Sequence, residues 1–430
     1  MKLTIEKPIY GGDSLGRIEG KAVFVPLALP GETVSIRVIE DKRSFSKAEL
    51  EEVLTASPNR AVPQCPYFGS CGGCHYQHAD YATQLAMKQQ ILRETLNQML
   101  GRAGVATPEK IAQLAGEPWG YRNRIRLALD PQGKPGYRSR NSHTIIPVAV
   151  CPISAPVLIE TALHTSSLLA GSPVPITELE LFTNHDQSQL LVTLFCESAP
   201  SADPAEWLRE IHRSLPKVNG LRLQFADGDI EQRILAFSGE ASLTYTVAGV
   251  DYRVEQGAFF QVNRYLLDDF VSLITRGQAG QVVRAGQEAW DLYAGVGLFS
   301  HPLTRSFAKV SAVEAAGASF NALRANLAGT SGTAIGSTTL DFLRRNREQR
   351  ESRPDLIILD PPRAGLGPEV TQLLNAIHAP QMVYVSCDPT TLARDLRSLT
   401  QERFRITSMT QIDMFPQTFH METAVHLSRS

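Results

Sequence analysis

The sequence predicts a multidomain α/β protein. It should have a doubly wound, mainly parallel sheet at its carboxy-terminal end, an α+β region before that, and a small β-barrel at its start. Three observations carry this. From about residue 257, short apolar runs recur, each ahead of a loop and usually a helix-patterned stretch: WDLYAGVGLF, VSAVEAAGASFNALRANL, DLIILDPPRAGL and MVYVSCDPTTLARDL. Repeated strand–loop–helix units imply parallel strands with helices on both faces. Residues 1–58 read instead as short strands with Gly and Pro punctuation, and a chain of 430 residues has room for more than one domain.

Bulk composition narrows the class. Apolar residues make up 43% and charged residues 20%, as in a globular protein. The formal net charge is -2, so any surface for nucleic acid must be local. No apolar run approaches the ~20 residues of a membrane helix, and MKLTIEKPIYGG lacks a signal-peptide core. The expected location is the cytoplasm, with no membrane association and a monomeric state.

Taken in order, LTIEKPIY, GRIEGKAVFVPLAL, ETVSIRVIED and SKAELEEVLT give the strands of an OB-like barrel. SPNRAVPQCP (57–66) reads as a linker. Leu85, Ile91, Leu92, Leu96 and Leu100 mark an amphipathic helix near 80–100. Residues 118–256 are strand-rich (RIRLAL, HTIIPVAV, QLLVTLF, GLRLQF), and Cys196 there reads as core packing. Within 120–143, Arg122, Arg124, Arg126, Lys134, Arg138 and Arg140 face only Asp130 in opposition. Alternate arginines on a strand share one face, and Tyr121 and Tyr137 could stack bases. The competing reading is a solvated edge strand.

Six cysteines are unevenly placed, and CPYFGSCGGC holds Cys65, Cys71 and Cys74 within ten residues, with Cys151 distant. Gly69, Gly72 and Gly73 let the backbone wrap closely. Four thiolates suit zinc or a [4Fe–4S] cluster, and spacing alone leaves the two unresolved.

DLYAGVGLF places Asp291, Gly295 and Gly297 just after a strand, and Glu314 ends the next one, where an acid caps a ribose. The final glycine of the dinucleotide fingerprint is missing, so a cofactor with a ribose but no phosphates, such as S-adenosylmethionine, fits better than NAD. LIILDPPRAG supplies a second strand-end acid, Asp360, and Arg363, which could hold a phosphate or base oxygen. In VYVSCDPTTLARDL, Asp388 suits an N-cap and Pro389 the first helical position. Cys387 would then lie at the positive end of a helix dipole, which favours a reactive thiolate; the alternative is a small buried residue.

GAFFQVN, DLYAGVGLF, DPPRAGL, SCDPTTLARDL and DMFPQTFHMET together resemble the S-adenosylmethionine-dependent RNA uracil-C5 methyltransferases. CPYFGSCGGC and the amino-terminal β module resemble the branch that modifies 23S ribosomal RNA. The resemblance covers nearly the whole chain. It implies a TRAM barrel over 1–58 and a central iron–sulfur, RNA-binding domain over 59–80 and 111–256. The Rossmann-like methyltransferase domain would comprise 257–430 with the helical segment 81–110. It also implies cofactor contacts from Gln261, Tyr293, Glu314, Asp341 and Asp360, and a [4Fe–4S] cluster on Cys65, Cys71, Cys74 and Cys151. Cys387 becomes the nucleophile and Glu422 the base that removes the C5 proton. Leu298 departs from an asparagine found in some members, and Met421 from a valine. The implied partner is RNA, 23S rRNA by preference. A tRNA uracil-C5 methyltransferase and a non-catalytic iron–sulfur RNA-binding protein are the alternatives.

Overall fold

The computed structural model describes residues 1–102, 104–227, 230–276, 285–348 and 353–429. Alternation of apolar and polar residues in KLTIEKP turns Leu3 and Ile5 inward. Strands β1 (Lys2–Pro8), β2 (Asp13–Ile18), β3 (Lys21–Pro26), β4 (Thr33–Asp41) and β5 (Phe45–Thr55) close into a barrel in the order β1-β2-β3-β5-β4. Val23, Val25, Val34 and Ile36 fill it. The segment expected as a linker is pinned to this barrel. Arg60 donates from Nε and Nη2 to the two oxygens of buried Glu32, at 2.6 and 2.8 Å, and from Nη2 to the Leu27 carbonyl. Such a two-pronged, partly buried pair fixes geometry as well as charge.

Helix α1 (Tyr81–Gly101) starts on Asp80, whose side chain accepts from the Thr83 amide. Its buried face, Ile91, Leu92, Leu96 and Leu100, shares one core with Leu392, Leu396 and Leu399 of α9 (Pro389–Glu402). After it comes the short strand β6 (Ala112–Leu114). Then follow β7 (Arg124–Leu129), β8 (Pro135–Arg138), β9 (Ile145–Pro147), α2 (Pro156–Ser167), β10 (Ile176–Thr183), β11 (Leu190–Cys196), α3 (Ala205–Arg213), β12 (Gly220–Asp227) and β13 (Ile230–Gly239). Those strands form a seven-stranded sheet in the order β13-β12-β11-β10-β7-β8-β9. Cys196 is fully buried there, as its apolar run implied. A hairpin, β14 (Ser242–Val247) and β15 (Val250–Glu255), comes next.

The remaining elements are α4 (Leu267–Arg276), β16 (Gly286–Leu292), α5 (Ser300–Leu303), β17 (Phe307–Glu314), α6 (Gly317–Asn326), β18 (Gly332–Gly336), α7 (Thr339–Glu348), β19 (Leu356–Leu359), α8 (Gly367–Ala376), β20 (Gln381–Ser386), α9, β21 (Phe404–Ile412) and β22 (Glu422–Arg429). Their sheet runs β18-β17-β16-β19-β20-β22-β21-β6. The first five strands are mutually parallel, while β22 runs antiparallel between β20 and β21. Strand order reverses between β16 and β19, and in such sheets a crevice opens there beyond the strands' carboxyl ends.

Two segments lie across the boundaries that sequence suggested. β6 hydrogen-bonds to β21, so the catalytic sheet takes a strand from beyond residue 110. The β14–β15 hairpin contributes Leu243, Tyr245, Tyr252 and Val254 to the same core as Phe270 and Ala289, ahead of residue 257. Apolar contact, not chain order, assigns both to this layer.

Candidate active site

Asp291, the penultimate residue of β16, is buried, and Asp360, immediately after β19, is half-buried; they stand at the carboxyl ends of neighbouring strands. Asp291 takes a hydrogen bond from Ser300 Oγ at 2.5 Å, and its Oδ1 has no partner. Burial, with Glu314 nearby, pushes its carboxyl up to about 7. Asp360 is likewise pushed up to about 7, by burial and then by Asp291, against the hydrogen bond from Gln261 Nε2 at 3.4 Å. Gln261 and Asp360, 99 residues apart, thus meet.

Glu314 ends β17. Its carboxylate accepts from the Gly295 amide at 2.9 Å and the Ala316 amide at 2.6 Å. Gly295 has φ +56°, and an added Cβ there would meet nothing within 4 Å, so its backbone borders open space. Tyr293 holds φ +67°, a left-handed conformation costly for an aromatic residue, at the turn beyond β16. Asp341 is more ordinary: it lies in the first turn of α7, exposed, and its carboxylate takes the Thr338 hydroxyl while Thr338 Oγ1 accepts the Asp341 amide. That reciprocal pair is a helix cap, at the carboxyl end of β18. Leu298, where a polar contact was in question, is buried in the core.

Cys387 follows β20. Asp388 caps α9 as expected, its Oδ1 accepting the Thr390 and Thr391 amides at 2.9 Å each, with Pro389 first in the helix. The expected consequence for the thiol does not hold. Burial, and then Glu422, push it up to about 12, against the pull of Arg363. The Thr390 and Thr391 amides at the helix start go to the Asp388 carboxylate, which leaves burial and Glu422 as the larger influences on the sulfur.

Strand register brings the second catalytic candidate in. In the antiparallel β20–β22 ladder the last rung is Ser386 with Thr423, so Cys387 and Glu422 are the residues next to it, and Glu422 acts electrostatically on the Cys387 sulfur. Glu422 is buried, its Oε1 lacks a partner, and burial plus Asp360 hold its carboxyl well above the usual range. Arg363 opposes that shift too, and it donates to His420 Nδ1 at 3.2 Å. Two features were not read from sequence. Phe259 is 61% exposed, two residues before Gln261, although large aromatics are usually covered. The loop before Glu422 is also clamped: the His75 and Tyr76 amides both donate to the Gln417 carbonyl, and the Tyr121 hydroxyl donates to Pro416. Lys88, fully buried, donates to Asp413 at 2.5 Å and to the Phe415 carbonyl.

The four cysteines Cys65, Cys71, Cys74 and Cys151 line one cavity of about 40 Å³, with Tyr67, Phe68 and Tyr137. Hydrogen bonds Gly72 N–H to Arg138 O and Arg140 N–H to Ser70 O stitch the first three to the end of β8, and the Tyr67 hydroxyl accepts the Ala149 amide near Cys151. Burial raises the Cys65, Cys71 and Cys74 thiols, Cys74 to about 12. Among the described residues no three ligating groups are placed to hold a single metal ion.

The arginine row differs from expectation. Arg124 stacks on Phe182 and donates to the Ala258 carbonyl; Arg126 stacks on Phe195 and pairs with Glu178, which also pairs with Arg138. Glu178 on β10 supplies the opposing charge that the local sequence lacks. Tyr121 is fully buried and presents no face to a base, while half-buried Tyr137 turns its hydroxyl to Cys151 Sγ at 3.9 Å.

Residues 239–430 match the family described as tRNA (Uracil-5-)-methyltransferase, and residues 1–50 match the TRAM domain. The 23S rRNA (uracil(1939)-C(5))-methyltransferase RlmD of Edwardsiella ictaluri is 32% identical over 426 residues, 96% of this chain and 92% of that protein. RlmD of Klebsiella pneumoniae (strain ATCC 700721 / MGH 78578) is 33% identical, over 97% and 93%. In structure, the Pyrococcus abyssi tRNA (uracil-54, C5)-methyltransferase, solved in complex with S-adenosyl-L-homocysteine, superimposes with a TM-score of 0.77 at 23% identity, covering 99% of this chain and 100% of that one. The shared fold is the class I methyltransferase architecture with an amino-terminal barrel.

Proposed function

The chain belongs to the RNA uracil-C5 methyltransferase family, and from that premise we propose that it converts a uridine of 23S rRNA to 5-methyluridine, acting as a cytoplasmic monomer. The rRNA preference rests on relatives that match over nearly their full length and are named for 23S rRNA. The observation that carries the catalytic reading is that Cys387 and Glu422 flank the last rung of the β20–β22 ladder and lie within electrostatic reach of each other.

The crevice suits a nucleoside cofactor. Glu314 can exchange its two amide hydrogen bonds for ribose hydroxyls, Gly295 leaves room, and Gln261, Tyr293 and Asp360 wall the neighbouring space. Asp341 would reach the adenine only by giving up its cap. S-adenosylmethionine, when bound, supplies a methyl group on a sulfonium. Cys387 gives its proton to solvent, and the sulfur adds to C6 of the flipped uracil. The ring electrons shift to C5 and O4, making C5 nucleophilic. Arg363 opposes the upward shift of both Cys387 and Glu422, and so favours the ionised form of each. Once C5 carries the methyl, Glu422, as the carboxylate that Arg363 favours, takes the C5 proton and the C6–S bond breaks, which releases the Cys387 sulfur. Phe259 offers an exposed ring for base stacking.

Cys65, Cys71, Cys74 and Cys151 would hold a [4Fe–4S] cluster. Four cysteines from two distant segments around one cavity are the observation behind this reading. The cluster's role would be structural, because the chain leaves Cys74 directly into the His75–Gln417 clamp on the Glu422 loop. The domains would be those read from sequence, with β6 and the β14–β15 hairpin counted with the catalytic layer.

Mapping 5-methyluridine by mass spectrometry in ribosomal and transfer RNA from a deletion strain tests the reading. Loss of one 23S rRNA site is expected, and loss confined to tRNA would move the substrate.

A further inference from the structure

Glu422 opens β22 and pairs with Ile412, the last residue of β21, so residues 413–421 form the loop that delivers it. Helix α1 holds this loop through buried side chains. Lys88 donates to Asp413 and, at 3.0 Å, to the Phe415 carbonyl. That carbonyl also accepts the Thr418 hydroxyl at 2.8 Å, and Thr418 Oγ1 accepts the His420 amide at 3.2 Å. Hydrogen bonds thus run from α1 to a point two residues before Glu422.

The second hold is at the turn of the loop. Gln417 takes φ +68°, a left-handed conformation costly for a residue with a Cβ. Such strain persists only where the surroundings over-determine it. Here Gln84 of α1 does so with a reciprocal pair: its Oε1 accepts the Gln417 main-chain amide, and its Nε2 donates to Gln417 side-chain Oε1, both at 3.0 Å. Gln84 Nε2 also donates to the Ala79 carbonyl, and the Gln417 carbonyl takes the His75 and Tyr76 amides. Gln84 and Gln417 are buried, at 1% and 2% exposure, so each bond lost would leave a polar group without water to replace it. A left-handed residue reverses the course of the chain, and the turn at Gln417 sets the direction in which residues 418–421 leave for Glu422.

We infer that Gln84 and Gln417 are a positioning pair for Glu422: through them α1 fixes the turn of the loop that brings the carboxylate to the C5 proton. This rests on Glu422 being the base. Cys387, between β20 and α9, lies outside the loop, so the pair acts on proton removal and not on addition to C6.

The test follows the covalent RNA intermediate of the full-length enzyme through a single turnover, labelled from the cofactor methyl and read on a denaturing gel. Its appearance reports attack by Cys387 and methyl transfer. Its decay to free methylated RNA reports proton removal. Gln417→Gly suits the left-handed backbone and keeps both main-chain groups, but removes the side-chain oxygen to which Gln84 donates. Decay should slow about tenfold, part of the ~10²-fold that a displacement of ~1 Å can cost, with the appearance rate and the KM for RNA near those of the wild type. Gln84→Met breaks both bonds of the pair and should slow decay at least as much, even at a lower thermal midpoint. The double variant should be about as slow as Gln84→Met alone. Wild-type decay in Gln417→Gly, slowing shared equally by appearance and decay, or additive slowing in the double variant would overturn the inference. Glu422→Gln is the reference and should retain the labelled band; wild-type decay in that variant would overturn the base assignment itself.

Discussion

Replacing Glu422 by glutamine should separate the two halves of the reaction. Glu422 is buried, with one oxygen unpartnered, and burial and Asp360 push its carboxyl up, toward the neutral form. A neutral amide of the same shape fits that environment, and folding stability should change by less than about 1 kcal/mol, the scale of one ordinary hydrogen bond. Cys387 keeps its position, because the β20–β22 ladder that ends beside it is main chain. Addition to C6 and methylation at C5 should proceed. Proton removal loses its base, which is worth about 10²–10⁴-fold. The enzyme should release less than one methylated product per active site over minutes and remain covalently attached to methylated RNA. A shifted band on a denaturing gel, labelled from the cofactor methyl, reads this directly, and adding Cys387→Ala should abolish it. Normal turnover by Glu422→Gln, or methylation by Cys387→Ala, would refute the assignment.

Other consequences are equally concrete. Iodoacetamide labelling of Cys387 in the ligand-free enzyme, followed by peptide mass spectrometry, should rise only toward pH 12, and Arg363→Met should suppress it further, because Arg363 opposes the shift; full labelling at pH 8 would contradict the buried-thiol geometry. Asp291 should cost stability: its folded carboxyl is raised to about 7 from 3.8, so stability falls as pH climbs from about 4 to about 7 and stays low above that. Asp291→Asn should flatten that fall and, in thermal or urea unfolding at pH 8, gain at most about 4 kcal/mol, three units at about 1.36 each. Lys88→Met leaves Asp413 buried without its cation and should destabilise the protein by about 3–5 kcal/mol in the same assay. Protein purified without oxygen should be brown with about four iron per chain, and Cys74→Ala should bleach it; colourless protein with one zinc would refute the cluster.

The sequence by itself determined what is local. Strand-end acids at Asp291, Glu314 and Asp360, the glycines beyond β16 and the Asp388 cap were legible because period, punctuation and capping act over a few residues. The family motifs carried the rest of the site list, and with it Gln261 beside Asp360. Only the tertiary structure brought Cys387 and Glu422 together beside the end of the β20–β22 ladder, since antiparallel register joins residues far apart in the chain. It also reversed two local readings. Asp388 looked like a device to expose a thiolate to helix amides, but its own carboxylate consumes them, and burial and Glu422 decide the sulfur's ionisation. The arginines looked free because Glu178, Phe182 and Phe195 come from other strands. Charge balance and desolvation depend on everything within several ångströms in space, and a reading along the chain sees only the neighbours in sequence.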